Sequence, residues 1–469
     1  MKPYLTSTYF LISLALWLVS CSESNQQTHT YQPESSDQVF VNVNVIPMTG
    51  EQIIQGQDVW VRNGKIAEIV PSGEIEITEG IQAIQGDGKY LMPGLAEMHA
   101  HIPDLAPDGD NALIKETLFL YLAGGITTIR GMLGQPYHIE LKELVAEGEV
   151  LGPRIYTSGT SINGNSVPDL ATADSIVRAH KNEGYDFLKI HPGLKREVFD
   201  EVVATAKEVG IPYAGHVPVD VGIRHAIASD YASIDHVDGY LEGLVPEDAG
   251  VYPNENGFFG YNFTNLASTD LIPELAQMTK EKGVAIVPTQ ALMERWTSTE
   301  EPQATISQPE MKYMSPRTRE QWVQRKYSFQ QLENYDGEMV DKFIDIRRQM
   351  IKALYDNDVL IVLGSDAPQI FNVPGFSIHH ELVAMKNCGL SDFQSIELGT
   401  SNPAKYFARE GDFGTIVKGT AADLILVNKN PLEDVTRIQD NAGVMVAGKW
   451  LSETEIEAEL ARIAEKYAD

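Results

Sequence analysis

Six side chains in this sequence have the types and spacing to hold divalent metal: His99, His101, Lys189, His216, His236 and Asp366. His99 and His101 are separated by one residue, so on an extended chain both imidazoles project to the same side and form a two-histidine clamp. Lys189 lies in Asp186-Phe187-Leu188-Lys189-Ile190, where an ammonium among apolar neighbours is costly unless it is neutralised or modified. His216 closes Tyr213-Ala214-Gly215-His216, His236 closes Ser233-Ile234-Asp235-His236, and Asp366 follows Leu363-Gly364-Ser365. Four imidazoles and a carboxylate, with no thiolate, make a borderline-to-hard donor set suited to Zn2+ or a similar ion. Held there, a cation lowers the pKa of a water and polarises a carbonyl. Asp366 is then the candidate proton shuttle, accepting a proton from the attacking water and returning it to a leaving nitrogen.

Each of these residues alone has a duller reading as a hydrogen-bonded structural group. Position is what changes the odds. Short apolar runs alternate with helix-length amphipathic segments, the rhythm of repeated βα units in an α/β fold. Eight strands are expected, at residues 94–99, 126–130, 154–158, 186–190, 213–216, 233–236, 284–288 and 359–364. They point to a closed (β/α)8 TIM barrel, with an open doubly wound sheet as the competing arrangement. Every candidate ligand falls at the carboxyl end of one of these strands, the face where barrel enzymes place their sites.

Alternating apolar segments also flank the barrel. Asn63-Gly64 between two such runs is a strong hairpin signal, and the same texture returns in Ala422-Asp423-Leu424-Ile425-Leu426-Val427. These imply a small β-sandwich built from both termini, its parts at 39–90 and 410–452, around a barrel at 91–409, with a last helix at 453–469. Two inserts, at about 241–270 and 294–341, the second carrying Trp296 and Trp322, read equally as lids over the site or as surface elaborations.

With these motifs in order, the chain strongly resembles the amidohydrolase superfamily from residue 39 to about 451. Pro93-Gly94-Leu95-Ala96-Glu97-Met98-His99-Ala100-His101 looks like the family's opening signature. The resemblance implies that His99, His101 and Asp366 hold one ion and His216 and His236 a second. It further implies that Lys189, carboxylated by carbon dioxide, joins the two. The texture is most similar to the imidazolonepropionase-related and Xaa-Pro dipeptidase-like binuclear branch. From it follows the expected function: hydrolysis of a carbon-nitrogen bond in a small substrate such as a dipeptide or N-acyl amino acid, by metal-activated hydroxide. The alternatives are an ester, lactone or phosphotriester hydrolase on the same site, or a catalytically silent binding protein of the same fold. Substrate contacts are expected from Tyr240 and His138; His191 is read as a neighbour of the ligands, and His379-His380 as surface residues. One departure from the family pattern is that Arg130 is followed by Gly131-Met132 rather than by an acidic residue.

Residues 1–20, with Lys2 ahead of an apolar run from about Tyr9 to Val19, have the pattern of a secretory signal too short to span a bilayer comfortably. Leu18-Val19-Ser20-Cys21 resembles a bacterial lipobox, which implies lipidation at Cys21, a polar tether at 21–38, and placement on the outer membrane facing the periplasm, or in the periplasm. The only other cysteine is Cys388, so no disulfide framework is implied. A formal charge of −30 argues against nucleic acid or an anionic lipid surface as partner. A small amide is the expected ligand, with self-association possible.

Overall fold

The computed structural model describes residue 1 and residues 31–468. The expected signal segment and Cys21 lie outside the described residues. Among the described residues no helix is long and apolar enough to cross a membrane.

The chain begins with five strands: β1 (Gln38–Val45), β2 (Ile54–Arg62), β3 (Lys65–Pro71), β4 (Gln82–Gln85) and β5 (Tyr90–Pro93). The β2–β3 connection turns at Asn63-Gly64, both with positive φ, as the hairpin signal requires. Three strands from the far end complete the layer: β13 (Leu424–Val427), β14 (Asn441–Val446) and β15 (Lys449–Ser452). All eight form one hydrogen-bonded sheet of order β15-β14-β13-β5-β1-β2-β3, with β4 alongside β1. The two ends of the chain do meet as expected, but in a single sheet rather than in two separate layers. The β13–β5 pairing, Leu424 opposite Pro93, ties the layer to the next strand. Phe40, Val59, Leu91, Leu424 and Met445 share a buried core on it.

The central strands are β6 (Leu95–Ala100), β7 (Ile126–Gly131), β8 (Arg154–Thr157), β9 (Leu188–Ile190), β10 (Tyr213–Gly215), β11 (Ser233–Asp235) and β12 (Ala285–Val287). Seven of the eight expected strands are therefore present, all parallel within their sheets. They form a three-stranded sheet β6-β7-β8 and a four-stranded sheet β9-β10-β11-β12. The sheets are not continuous with one another. Isolated parallel bridges join Ser158 to Phe187 and Ile286 to Ile361.

The eighth strand, expected at 359–364, is reduced to the single bridge at Ile361. Its backbone is nevertheless tied on both sides. Val362 donates to Ile286 O at 2.9 Å, while Met98 and His101 donate to Leu363 O and Ala367 O at 2.9 and 2.8 Å. The Gly364-Ser365-Asp366 turn lies between the last two of these anchors. Gly364 is required there, since a Cβ would lie 2.5 Å from Val287 and 2.9 Å from the His99 backbone nitrogen.

Helices follow most strands, for example Arg196–Val209 after β9 and Ile223–Ala228 after β10. The first buries Val198, Phe199, Val202 and Ala206, which recur at helical spacing. The first insert is a chain of short 3-10 turns (Glu247–Ala249, Pro253–Glu255, Phe258–Phe263), and the second contains the helices Gln290–Thr297 and Pro316–Gln330.

Candidate metal centre

The six candidate ligands are gathered where β6, β9, β10 and β11 end and where the Gly364-Ser365-Asp366 turn passes. Nε2 of His101 is 2.6 Å from Oδ1 of Asp366, and Nε2 of His99 is 3.6 Å from the same oxygen. The ligand atoms of His99, His101 and Asp366 all lie within 4.8 Å of one another. Nζ of Lys189 is 3.5 Å from Nε2 of His99. His236 joins this group, its ring centroid 4.4 Å from that of His99 and 4.6 Å from that of His216. Nδ1 of His236 lies 3.9 Å from Oδ2 of Asp366.

The backbone at the site is unusual. His236, Val237 and Asp366 have φ of 63°, 51° and 64°, a left-handed conformation that costs an ordinary residue on the order of 1–3 kcal/mol and survives only where the surroundings impose it. Gly215, at φ 126°, has its own reason: a Cβ there would sit 2.4 Å from Ile190 O and 2.9 Å from Cδ of Lys189. The residue before His216 must therefore be glycine for the lysine to lie beside it.

A second set of residues orients the histidines. Nδ1 of His99 faces Oδ2 of Asp235 at 3.0 Å, that of His216 meets Oδ2 of Asp238 at 3.0 Å, and that of His236 meets the Thr289 hydroxyl at 2.8 Å. The His216 and His236 rings are thereby hydrogen-bonded at Nδ1, and His99 Nδ1 faces Asp235 without a hydrogen bond; in each case Nε2 is the nitrogen left to bind a cation. Asp235 is itself held by Arg130, which is fully buried and donates from Nη2 to both carboxylate oxygens at 3.0 and 3.3 Å. Arg130 also donates to Met98 O, Ser233 Oγ and Tyr406 OH. Glu97, wholly buried on β6, accepts from the backbone nitrogens of His99 and Ser365 and from the Ser365 hydroxyl. It fastens the first histidine's strand to the aspartate's turn.

Electrostatics follow from burial. The His99 and His236 rings are held well below the ordinary histidine range, by burial first and then by neighbouring cationic groups, so both are neutral and carry a free lone pair. Burial also drives the Lys189 ammonium down. At Asp235 burial works in the other direction, but Arg130 and Lys189 outweigh it and keep the carboxyl below its usual range. Burial pushes Glu97 up to about 8 against its Ser365 hydrogen bonds. The donor chemistry thus fits a cation: neutral imidazoles, a carboxylate and a buried amine converge in one place.

Sequence reasoning missed Arg130, Asp235, Asp238, Thr289 and Glu97 as supports. Asp235 adjoins His236, and Glu97 and Asp238 each lie two residues from a candidate ligand; Arg130 and Thr289 carry no such signal. Two expected substrate contacts have structural roles instead. His138 is buried, one ring nitrogen meeting Pro103 O at 3.2 Å and the other the Gln135 backbone nitrogen at 3.2 Å. Tyr240 is buried with its hydroxyl on Thr279 at 2.7 Å. His191 does neighbour the ligands, stacking on His216 at 5.2 Å and meeting Ser161 Oγ at 2.7 Å. His379, expected at the surface, is buried, whereas His380 pairs with Glu310 at 2.8 Å. A cavity of about 900 Å³ is lined by Val217, Gly239 and Glu242 among others, and none of the six candidate ligands faces it.

Known proteins resemble this chain in sequence and in fold. A model of the Amidohydrolase family matches residues 90–451. An adenine deaminase of Paracoccus denitrificans (strain Pd 1222) is 27% identical over 219 residues, 42% of this chain and 34% of that protein. An N-acetylglucosamine-6-phosphate deacetylase of Lysinibacillus sphaericus is 35% identical over 63 residues, 13% of this chain and 15% of that protein. The chain thus spans only about a third of the length of the first of these curated relatives and less of the second. Among solved structures, a Xaa-Pro dipeptidase with bound methionine aligns at TM-score 0.63 and 20% identity, covering 89% of this chain and all of that one. A bottromycin amidohydrolase aligns at TM-score 0.69 and 20% identity, over 93% and 91% of the two chains. These likenesses extend over nearly the whole chain and show the TIM-barrel-like α/β fold.

Proposed function

Because the chain belongs to the amidohydrolase family, we propose that it is a binuclear metal-dependent hydrolase of a carbon-nitrogen bond in a small substrate, such as a dipeptide or an N-acyl amino acid. The observation that carries this reading is the convergence of His99, His101 and Asp366 on a common point, with His236 and buried Lys189 against them. His99, His101 and Asp366 would hold one divalent ion, His216 and His236 the other, and Lys189, carboxylated by carbon dioxide, both. Zinc suits the donor set. When bound, the ions supply Lewis acidity, making a water acidic near neutral pH and polarising the scissile carbonyl.

The chain's own groups do the rest. Asp366 accepts the proton of the attacking water and delivers it to the leaving nitrogen, so one carboxylate serves as base and then acid. Its carboxyl is almost enclosed, with 7% of the side chain exposed, which limits exchange of that proton with bulk water. Asp235, Asp238 and Thr289 fix ring orientation before substrate arrives, so the histidines need no reorganisation on binding.

The test is a panel of dipeptides, N-acyl amino acids, esters and lactones given to the parent chain and to Asp366→Asn. Amide cleavage that disappears in the variant supports the reading. Ester or lactone turnover without amide turnover would contradict it.

A further inference from the structure

Phe259 stands out among residues of the first insert. Its backbone is left-handed (φ 48°, ψ 41°), a conformation that a bulky side chain adopts only when its surroundings impose it. Its ring lies 5.5 Å from that of His236 and 5.9 Å from that of His216. The two inserts cooperate in placing it. Phe258 packs on Phe259 at 4.8 Å, and on Trp296 and Phe329 of the second insert at 4.7 and 5.2 Å. The following Gly260, at φ 81°, allows the tight turn, because a Cβ there would lie 2.9–3.0 Å from Leu241 and Glu242. Phe259 is only half-buried, so part of its ring remains available for contact.

From this geometry we infer that Phe259 is a specificity-determining wall of the substrate pocket, packing against an apolar group next to the scissile bond. This rests on the metal-dependent amide hydrolase reading and adds the substrate class: amides bearing an apolar side chain rather than a glycyl or acidic one. Phe259 packs against the edge of the main core, yet its left-handed backbone sets the half-buried ring against two candidate ligand histidines, where a bound substrate would meet it. An apolar contact of this kind discriminates by about tenfold or more against a substrate lacking the matching group.

The test measures binding, so it does not depend on finding the natural substrate. Leucine hydroxamate and glycine hydroxamate are titrated calorimetrically into the metal-loaded full chain and into Phe259→Ala and Phe259→Leu, with metal content measured for each. The expected result is a loss of about tenfold for leucine hydroxamate in Phe259→Ala, little change for glycine hydroxamate, partial recovery in Phe259→Leu, and unchanged metal content. Equal weakening of both probes, no weakening of either, or loss of metal in Phe259→Ala would overturn the role of Phe259 while leaving the hydrolase reading intact. A parent that takes up no divalent metal would overturn the metal-centre reading and this proposal together, whereas a metal-loaded parent that binds neither hydroxamate would overturn this proposal alone.

Discussion

Removing Arg130 tests whether the centre depends on the groups behind its ligands. In Arg130→Met the side chain keeps an apolar stem of similar length but loses the guanidinium. Asp235 is fully buried and loses the partner at 3.0 Å that balances its charge. Met98 O, Ser233 Oγ and Tyr406 OH lose their donor as well. Breaking a buried ion pair from one side destabilises by about 3–5 kcal/mol, because an uncompensated charge stays behind. Asp235 then keeps the Ser233 hydroxyl at 2.8 Å, Lys189 at 3.7 Å and His99 at 3.0 Å but no guanidinium, so its hold on the His99 ring loosens and metal affinity falls about 10–100-fold. The assay is denaturant unfolding of metal-free protein, with metal titration in parallel. Arg130→Met/Asp235→Asn removes both charges, so the account predicts that the double variant recovers part of the stability lost by the single one. A loss below about 1 kcal/mol in Arg130→Met, or a double variant no more stable than the single, would refute the reasoning.

Three further outcomes follow from the same structure. Gly215→Ala, which sets a Cβ against Ile190 O and the Lys189 side chain, should cost on the order of 1–3 kcal/mol in a thermal melt and reduce bound metal, whereas Gly210→Ala, at a left-handed helix end with open space around it, should leave metal binding intact. His379 is held down to about 3 by burial; it stays neutral in the folded chain while the unfolded chain protonates it below about 6.5, so it contributes stability that is lost as pH falls from about 6 toward 3, at up to about 1.4 kcal/mol per pH unit. His379→Leu should flatten that slope in unfolding measured at a series of pH values, and an unchanged slope would count against the assignment. Chelation of the loaded protein should lower its unfolding temperature, and readdition of Zn2+ should restore it, as mass action requires of a ligand that binds only the folded state.

The gathering of the candidate ligands was legible in the sequence because strand ends and alternation are local signals: His99-Ala100-His101 reads as a clamp from its spacing alone. Seven barrel strands were legible for the same reason, each a short apolar run between turns. The eighth was misjudged because Val359-Leu360-Ile361-Val362-Leu363 has strand composition, but its hydrogen bonds go to Ile286, Leu398 and the β6 backbone in too irregular a pattern to make a strand. Arg130 and Asp235 are 105 positions apart, and nothing in a single sequence pairs them. Tyr240, four residues past His236, and His138, in the loop after the second strand, misled because neither placement fixes where a side chain points; both are buried and spend their polar atoms in the interior. Phe259 was hidden for the opposite reason, reaching the histidines from a Gly-flanked insert with no periodicity to read.

The most direct measurement is the metal content per chain of the purified protein beside Lys189→Ala. About two ions in the parent and fewer in Lys189→Ala are the predicted result, since carboxylated Lys189 is proposed to serve both ions. A parent that binds no divalent ion when Zn2+ is supplied, or that holds a single ion indifferent to the lysine, would contradict the binuclear account.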